Sequence, residues 1–435
     1  IQISYASGNP WIWNPEKQTE DWDKSSSNGY QVIDFFAQRG FDLSMVIPVN
    51  YYDSKKKREY SAAEVGNNVD GILEKAADFN AAAFARYFKE KGYKTRLILE
   101  IGNESVEYCS KFKAPTSEEY AKLCRAYILA IKAANPRVET AVVGGRDWDD
   151  WNEQTSTQYQ ISATVSRGNQ RFYRALGSDI ADKLDHVVLH LYDGDSPYCG
   201  NRLITWIPAT LTSWVEDLDS CGFKKTRILI SEYRFNLWSK LWNNVGNSLA
   251  EGVRMMQQAA GARSSGMFIY CVPGTLFHYS DGKAWTLTAP PGGEDPSQTL
   301  VKEGADKGHV VDTHPELGPR YRMVPNGYVQ QMMALACQGE LVDICGVGDY
   351  GLVSYILTKQ SDKDYRLLAA NIQSNSIKIN FKGFTVLSSQ VFTGKSVTSA
   401  PLDTIAQPYG IRQEKYKGKV DPYSLVLINL RKTKQ

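Results

Sequence analysis

Two carboxylates in this 435-residue chain are set apart by what precedes them. Glu104 follows LILEIGN and Glu232 follows RILIS. Short apolar runs of this kind read as buried strands, so each of these strands delivers an ionisable group at its tip. A third run, HVVLHLY, carries His190 and Tyr192 at its end. Paired Asp or Glu residues flanking a bond are the equipment of glycoside hydrolysis, in which one carboxylic acid protonates the leaving oxygen and the other attacks or activates water. A lone carboxylate at a strand end reads equally well as a salt bridge at a barrel mouth. Both together, with amide and aromatic neighbours, point to chemistry.

The elements that must hold these groups alternate. Apolar runs at 1–5, 43–49, 96–101, 138–144, 186–191, 227–231 and 267–272 are separated by longer segments with helical periodicity. That order predicts βα units and a parallel sheet, in the form of a (β/α)8 TIM barrel over residues 1–338. Segment 76–92 shows apolar residues at helical spacing and ends on Gly92 at the C′ position. The next helix opens on Thr116 and Glu119, the spacing of a capping box, and stops at Pro136. Both are expected on the outside of the barrel. Residues 277–325 read as a long loop before the last barrel helix, GYVQQMMALACQ. From 339 to 435 short alternating runs with turn signals predict a β-sandwich.

Seven strands are one short of a barrel. Either one strand is misread from the sequence, or the missing strand is the first, cleaved off, lying upstream of Ile1, or supplied by a separate N-terminal segment.

Composition narrows the function classes. The chain is 42% hydrophobic and 23% charged with a formal charge of +2, so no global field points to nucleic acid or an anionic membrane. No apolar run reaches the ~20 residues of a transmembrane segment. The seven cysteines lack the spacing of a zinc site, and neither a metal nor a cofactor is expected. Cys337 with Cys345, or Cys199 with Cys221, are candidate disulfides. Asn103-Glu104-Ser105 is a glycosylation sequon that stays unmodified if Asn103 faces a cleft.

Aromatic faces that stack on sugar rings are available in Trp11, Trp148, Trp151 and Tyr51, with Arg146, Asp147 and Asp149 beside the second and third. The run Lys55-Lys56-Lys57-Arg58 is either a solvated face or a reader of an acidic glycan.

The strings GNES, HLY and ISEY, each after a strand and in that order, resemble the signature of clan A retaining glycoside hydrolases. More narrowly, ISYASGN with NGYQVIDFFAQRGFDLSMVIPVN is similar to the early barrel of α-L-arabinofuranosidases, β-xylosidases and heparanase-like glucuronidases, and DPYSLVLINL resembles their final sandwich strand. The resemblance implies that Glu104 is the general acid/base and Glu232 the nucleophile. It implies that Asn103 bonds the sugar hydroxyl next to the reacting carbon, that Tyr192 donates to Glu232, and that His190 joins that network. It also implies a polysaccharide or oligosaccharide substrate and an extracellular or periplasmic location, and it matches a separate N-terminal chain to the missing strand. The rival expectation is a catalytically inactive pseudo-glycosidase that binds glycan or plays a structural part.

Overall fold

The computed structural model describes residues 2–3, 29–102, 115–144, 163–193, 211–212, 214–235, 249, 252–253, 256–257, 268–269, 277–279, 321–323, 325–347, 352–395 and 410–433. The chain divides into two compact units, one of residues 1–191, 210–232 and 267–272, the other of 192–209, 233–266 and 273–435.

In the first unit the strands are β1 (Gln2–Ile3), β2 (Leu43–Ile47), a hairpin of β3 (Tyr51–Asp53) and β4 (Arg58–Tyr60), then β5 (Leu97–Ile101), β6 (Glu139–Val143), β7 (His186–Asp193), β8 (Arg227–Phe235) and β9 (Phe268–Ile269). Apart from the hairpin they form one seven-stranded sheet in chain order, β1-β2-β5-β6-β7-β8-β9. The pairs β1–β2, β2–β5, β5–β6, β6–β7 and β8–β9 are parallel. The Arg227 N–H donates to the Asp185 carbonyl at 2.9 Å, which joins the starts of β7 and β8. All seven expected strands are therefore present and in the expected order. Among the described residues β1 and β9 are the two edges of this sheet, with no eighth strand joining them.

Register sorts the side chains. Glu100 lies beside Val46 and Ala141, and Ala141 beside His186, so one face carries Ser44, Val46, Ile98, Glu100, Glu139, Ala141, His186 and Val188. Ile98, Ala141, Val188 and Leu229 form one apolar cluster. Leu43, Met45, Ile47, Leu97, Leu99, Ile101, Val142 and Val187 occupy the other face and are buried. A sheet buried on both faces explains why its strands read as continuous apolar runs rather than alternating ones.

The helices of this unit are α1 (Gly29–Ala37), α2 (Ala62–Gly66), α3 (Leu73–Ala77), α4 (Ala83–Glu90), α5 (Ser117–Ala134) and α6 (Ala163–Leu176), with a π-turn at Asp78–Ala82 joining α3 to α4. Gly92, at φ +69°, follows α4 as expected. The capping box of α5 forms as its sequence predicts: the Glu119 N–H donates to Thr116 Oγ1, and the Thr116 N–H to Glu119 Oε2 at 2.7 Å. The same Glu119 carboxylate accepts from Asn67 just after α2. Gly66 packs so closely there that a Cβ on it would lie 2.2 Å from the Glu119 carbonyl oxygen.

At the N-terminal ends of three successive strands sits an ion cluster. Arg96 grips Glu139 with two bonds of 2.8 Å, and His186 Nε2 lies 2.6 Å from Glu139 Oε2. Next to it Lys132 pairs with Asp185 at 2.7 Å, while the Thr140 N–H donates to the same carboxylate at 2.8 Å. Burial alone would raise the Glu139 carboxyl, but the bonds from His186 and Arg96 outweigh it and bring it down to about 2.

The second unit holds the hairpin β10 (Phe277–Tyr279) with β11 (Tyr321–Met323), then α7 (Pro325–Ala336), and the strands β12 (Glu340–Val347), β13 (Val353–Lys359), β14 (Asp364–Asn371), β15 (Ile377–Lys378), β16 (Phe384–Thr393), β17 (Arg412–Gln413), β18 (Lys419–Val420) and β19 (Ser424–Lys432). Six of them make an antiparallel sheet in the order β12-β13-β14-β19-β16-β17. One face carries Ile356, Leu368, Phe392, Leu425 and Leu427, which pack against Tyr328, Val329 and Met332 of α7. The rings of Tyr328 and Phe392 stack at 4.9 Å. The helix expected to be the last of the barrel thus covers an antiparallel sheet. The other face, with Leu367, Val426, Ile428 and Leu430, is covered by Val420 and Ile377 of the β15–β18 ribbon together with Tyr416. Within the segment read as a long loop, β10 and β11 pair antiparallel. Neither candidate disulfide forms, because Cys221 and Cys345 are thiols.

Two measurements check these packing arguments. Gly66→Ala forces α2 off α5 and is expected to cost about 2 kcal/mol or more, read as a fall in denaturation midpoint. For Glu139 the folded carboxyl titrates below its ordinary 4.5, so its stabilising effect is full above that value and drains away as pH falls towards 2. Glu139→Gln should therefore lower stability at pH 7 by about 2 kcal/mol and flatten its decline between about pH 5 and 2. An unchanged acid decline in denaturant titrations would remove Glu139 from that account.

Candidate active site

Parallel pairing sends the C-terminal ends of the strands to one edge of the sheet. On β5 the last described residue is Gly102, with φ +78° and its N–H on the Ile47 carbonyl at 3.0 Å. The exit of β5 therefore starts beside the exit of β2. A glycine adopts that positive φ without strain. Asn103 and Glu104 come next in the chain and lie outside the described residues, as do Trp11, Trp148 and Trp151 with Arg146, Asp147 and Asp149. Gly144, from which the two latter tryptophans are reached, donates its N–H to the Val188 carbonyl at 3.1 Å.

His190 and Tyr192 are the fifth and seventh residues of β7, and Glu232 is the sixth of β8, directly after the buried Ser231. β5, β7 and β8 are third, fifth and sixth in the order of the sheet. The ends of β5 and β6 are clamped by Tyr120 of α5, whose hydroxyl donates to the Ile101 carbonyl at 2.5 Å and accepts from the Val143 N–H at 3.0 Å. A tyrosine from the outer helix layer thus fixes two strand ends at the edge where Glu104 follows.

The hairpin after β2 carries Tyr51 and the basic run. Tyr51 packs edge-on against Phe79 at 5.8 Å and near Tyr60 at 6.5 Å. Tyr60, on the same face, donates to Asp70 at 2.6 Å. The basic run is tied into that cluster: Lys56 pairs with Asp70 at 3.1 Å, and Arg58 with Glu64 at 2.9 Å and with Asp70 at 3.3 Å. Half of its charge, that of Lys56 and Arg58, is met by acidic neighbours on the same surface.

Three polar residues were not singled out by sequence reasoning. Glu100 is a wholly buried carboxylate within β5, on the face it shares with Ile98. Its signal was present as the one charge inside LILEI. Asn80, in the π-turn, is also wholly buried, and its Nδ2 donates to the carbonyls of Pro48 at 3.2 Å and Asn50 at 2.7 Å, with the Tyr127 hydroxyl 2.9 Å away. It fixes the direction in which the hairpin leaves β2. Glu59 accepts from Asn50 Nδ2 at 3.3 Å across the mouth of the hairpin.

No protein-family model matches the sequence, and no curated protein is detectably similar to it. The likeness lies in three dimensions. An α-L-arabinofuranosidase from Thermotoga maritima, solved with arabinose, matches 99% of this chain and 87% of its own at 13% identity, with a TM-score of 0.59. A Paenibacillus polymyxa xyloglucanase of glycoside hydrolase family 44, solved with xyloglucan, matches 92% of this chain and 83% of its own at 12% identity and a TM-score of 0.53. CelM2, a bifunctional glucanase-xylanase from a metagenome library, matches 94% and 86% at 13% identity, also with a TM-score of 0.53. The chain shares the fold of clan A glycoside hydrolases.

Proposed function

We propose that this chain is a retaining glycoside hydrolase in which Glu104 is the general acid/base and Glu232 the nucleophile. The observation that carries the reading is the strand order: the third and sixth strands of a seven-stranded sheet in chain order lead to the two glutamates. In a ring of eight such strands, three steps span much of the mouth, and a sugar fits between. The first unit is accordingly the bulk of a (β/α)8 barrel, with the catalytic domain at 1–338 and the β-sandwich domain at 339–435. The fold shared with glycoside hydrolases supports the same conclusion.

The chemistry balances with two carboxyls. Glu104, protonated, gives its proton to the glycosidic oxygen as the Glu232 carboxylate attacks the anomeric carbon, and the leaving sugar departs as an alcohol. Glu104, now ionised, takes a proton from water, whose oxygen attacks the same carbon and frees Glu232. Asn103 holds the hydroxyl beside the reacting carbon, Tyr192 donates to Glu232, and His190 supports that bond. Trp148, Trp151, Trp11 and Tyr51 line the path of the glycan. The substrate is a polysaccharide or its fragments, and the enzyme works outside the cytoplasm with no cofactor.

Incubation with a 2-fluoroglycosyl fluoride followed by peptide mass mapping should find the adduct on Glu232; an adduct elsewhere overturns the nucleophile assignment. Glu104→Gln should lower kcat/KM by roughly 10³-fold on a sugar leaving group, and much less on a dinitrophenyl glycoside, whose departure needs no proton, while kcat falls on both because water loses its base. Equal losses of kcat/KM on both substrates would remove the acid role. Full binding of oligosaccharides with no turnover of any of them would favour the pseudo-glycosidase.

A further inference from the structure

The ribbon of β15 and β18 covers the antiparallel sheet with one of its sides only. In IKINFK (377–382) and KYKGKV (415–420) apolar and polar residues alternate. Ile377, Ile379, Phe381, Tyr416 and Val420 pack into the core beneath the ribbon, whereas Lys378, Asn380, Lys382, Lys415, Lys417 and Lys419 are exposed. The two segments run side by side. Ile377 pairs with Val420 and Lys378 with Lys419, the Tyr416 hydroxyl donates to the Ile379 carbonyl at 3.0 Å, and the Phe381 and Tyr416 rings lie 5.5 Å apart. The exposed side is therefore a group of five lysines on a packed base.

Little of this charge is neutralised. Lys419 bonds Asp421 at 2.8 Å, and that bond, assisted by the charge of Lys417, holds the Asp421 carboxyl below its ordinary value. Among the described residues no ion pair engages Lys378, Lys382, Lys415 or Lys417. Like charges set directly opposite each other, as Lys378 and Lys419 are, cost stability. Residues 339–435 also hold more Lys and Arg than Asp and Glu, by more than the +2 of the whole chain. The excess positive charge thus lies in this part of the sequence, and the ribbon concentrates it.

We propose that the outer side of the β15–β18 ribbon, with Lys378, Lys382, Lys415, Lys417 and Lys419, is a docking surface for an acidic polysaccharide that carries carboxylates on successive sugars. The choice of a glycan rests on the reading of the chain as a glycoside hydrolase; the choice of an acidic one rests on charge. Outward residues two apart on a strand are separated by about 6.6 Å and paired strands by about 4.8 Å, spacings on the scale of one sugar ring. Several ammonium groups can then meet successive carboxylates of one chain, each contact weak alone and the set effective together. Two other polyanions fit less well. Stable membrane binding takes an apolar anchor besides cations, and the other outward residues of the two segments are Asn380 and Gly418. Single-stranded nucleic acid is held by bases stacked on aromatic rings, and Phe381 and Tyr416 face the core.

The test uses the full chain with polygalacturonate, a neutral arabinan, a single-stranded DNA oligonucleotide and phosphatidylglycerol vesicles as probes. Polygalacturonate should bind, with an affinity that falls steeply between about 0.05 and 0.3 M salt as screening grows. Combining Lys378→Gln, Lys415→Gln and Lys417→Gln should weaken that binding about tenfold and flatten its salt dependence, while any affinity for the arabinan stays unchanged. The same three positions changed to Arg should keep the binding, because the charge is kept. Unchanged affinity for polygalacturonate in a folded triple Gln chain overturns the proposal and leaves the lysines as guards of the ribbon's edges. Tighter lysine-dependent binding of the oligonucleotide or the vesicles than of polygalacturonate also overturns it. The two readings fail separately: lysine-dependent binding of polygalacturonate with no hydrolysis of any glycan keeps the surface and removes the enzyme, whereas glycan hydrolysis with polygalacturonate affinity indifferent to the lysines does the reverse.

Discussion

Parallel pairing is the constraint on which the first unit depends. Strands that all run one way put every exit on one edge and every entrance on the other, and the sequence uses the two edges differently. At the entrances Arg96, Glu139 and His186 meet in one charged cluster, supported by Lys132 and Asp185. Such a cluster costs desolvation, and it is the shared hydrogen bonds that make it net stabilising. At the exits, backbone groups of Gly102, Gly144 and Ile101 are satisfied by neighbouring strands or by Tyr120.

Much of this was legible in the sequence because burial on both faces leaves a plain signal. Runs such as LILEI and ETAVV need no partner information to be recognised as strands, and the Thr116–Glu119 box announces the start of α5 through bonds made within four residues. What was illegible depended on distant partners. Asn80 acts on carbonyls some thirty residues away, and nothing local in DFNAA says so. That Tyr51 rather than Tyr52 packs on Phe79 depends on the hairpin's register, since a shift of one residue exchanges the faces. Helix α7 has the periodicity of a barrel helix and covers an antiparallel sheet, because an apolar stripe does not specify the layer it meets. Of the candidate site the motif order named Glu104 and Glu232, which no local pattern beyond that order marks, while the buried Glu100 was passed over as one residue of a strand.

The basic run shows how a linear reading of charge misleads. Four consecutive cations suggest an anionic ligand, yet in three dimensions Asp70 and Glu64 come back from the next turns to meet two of them, Lys56 and Arg58. Exposed pairs of this kind contribute little stability. Their effect is on the potential at the surface, which they flatten.

The segment between Gly102 and Thr116 is tied at both ends to parts of the molecule that do not need it. Gly102 is held by the end of β2, and the start of α5 is held by its own capping box and by Asn67. Neither anchor draws on a side chain from within the stretch, so exchanges inside it leave both bonds in place. A lineage carrying this scaffold can rewrite that short stretch of gene and keep the two fastenings on either side of it.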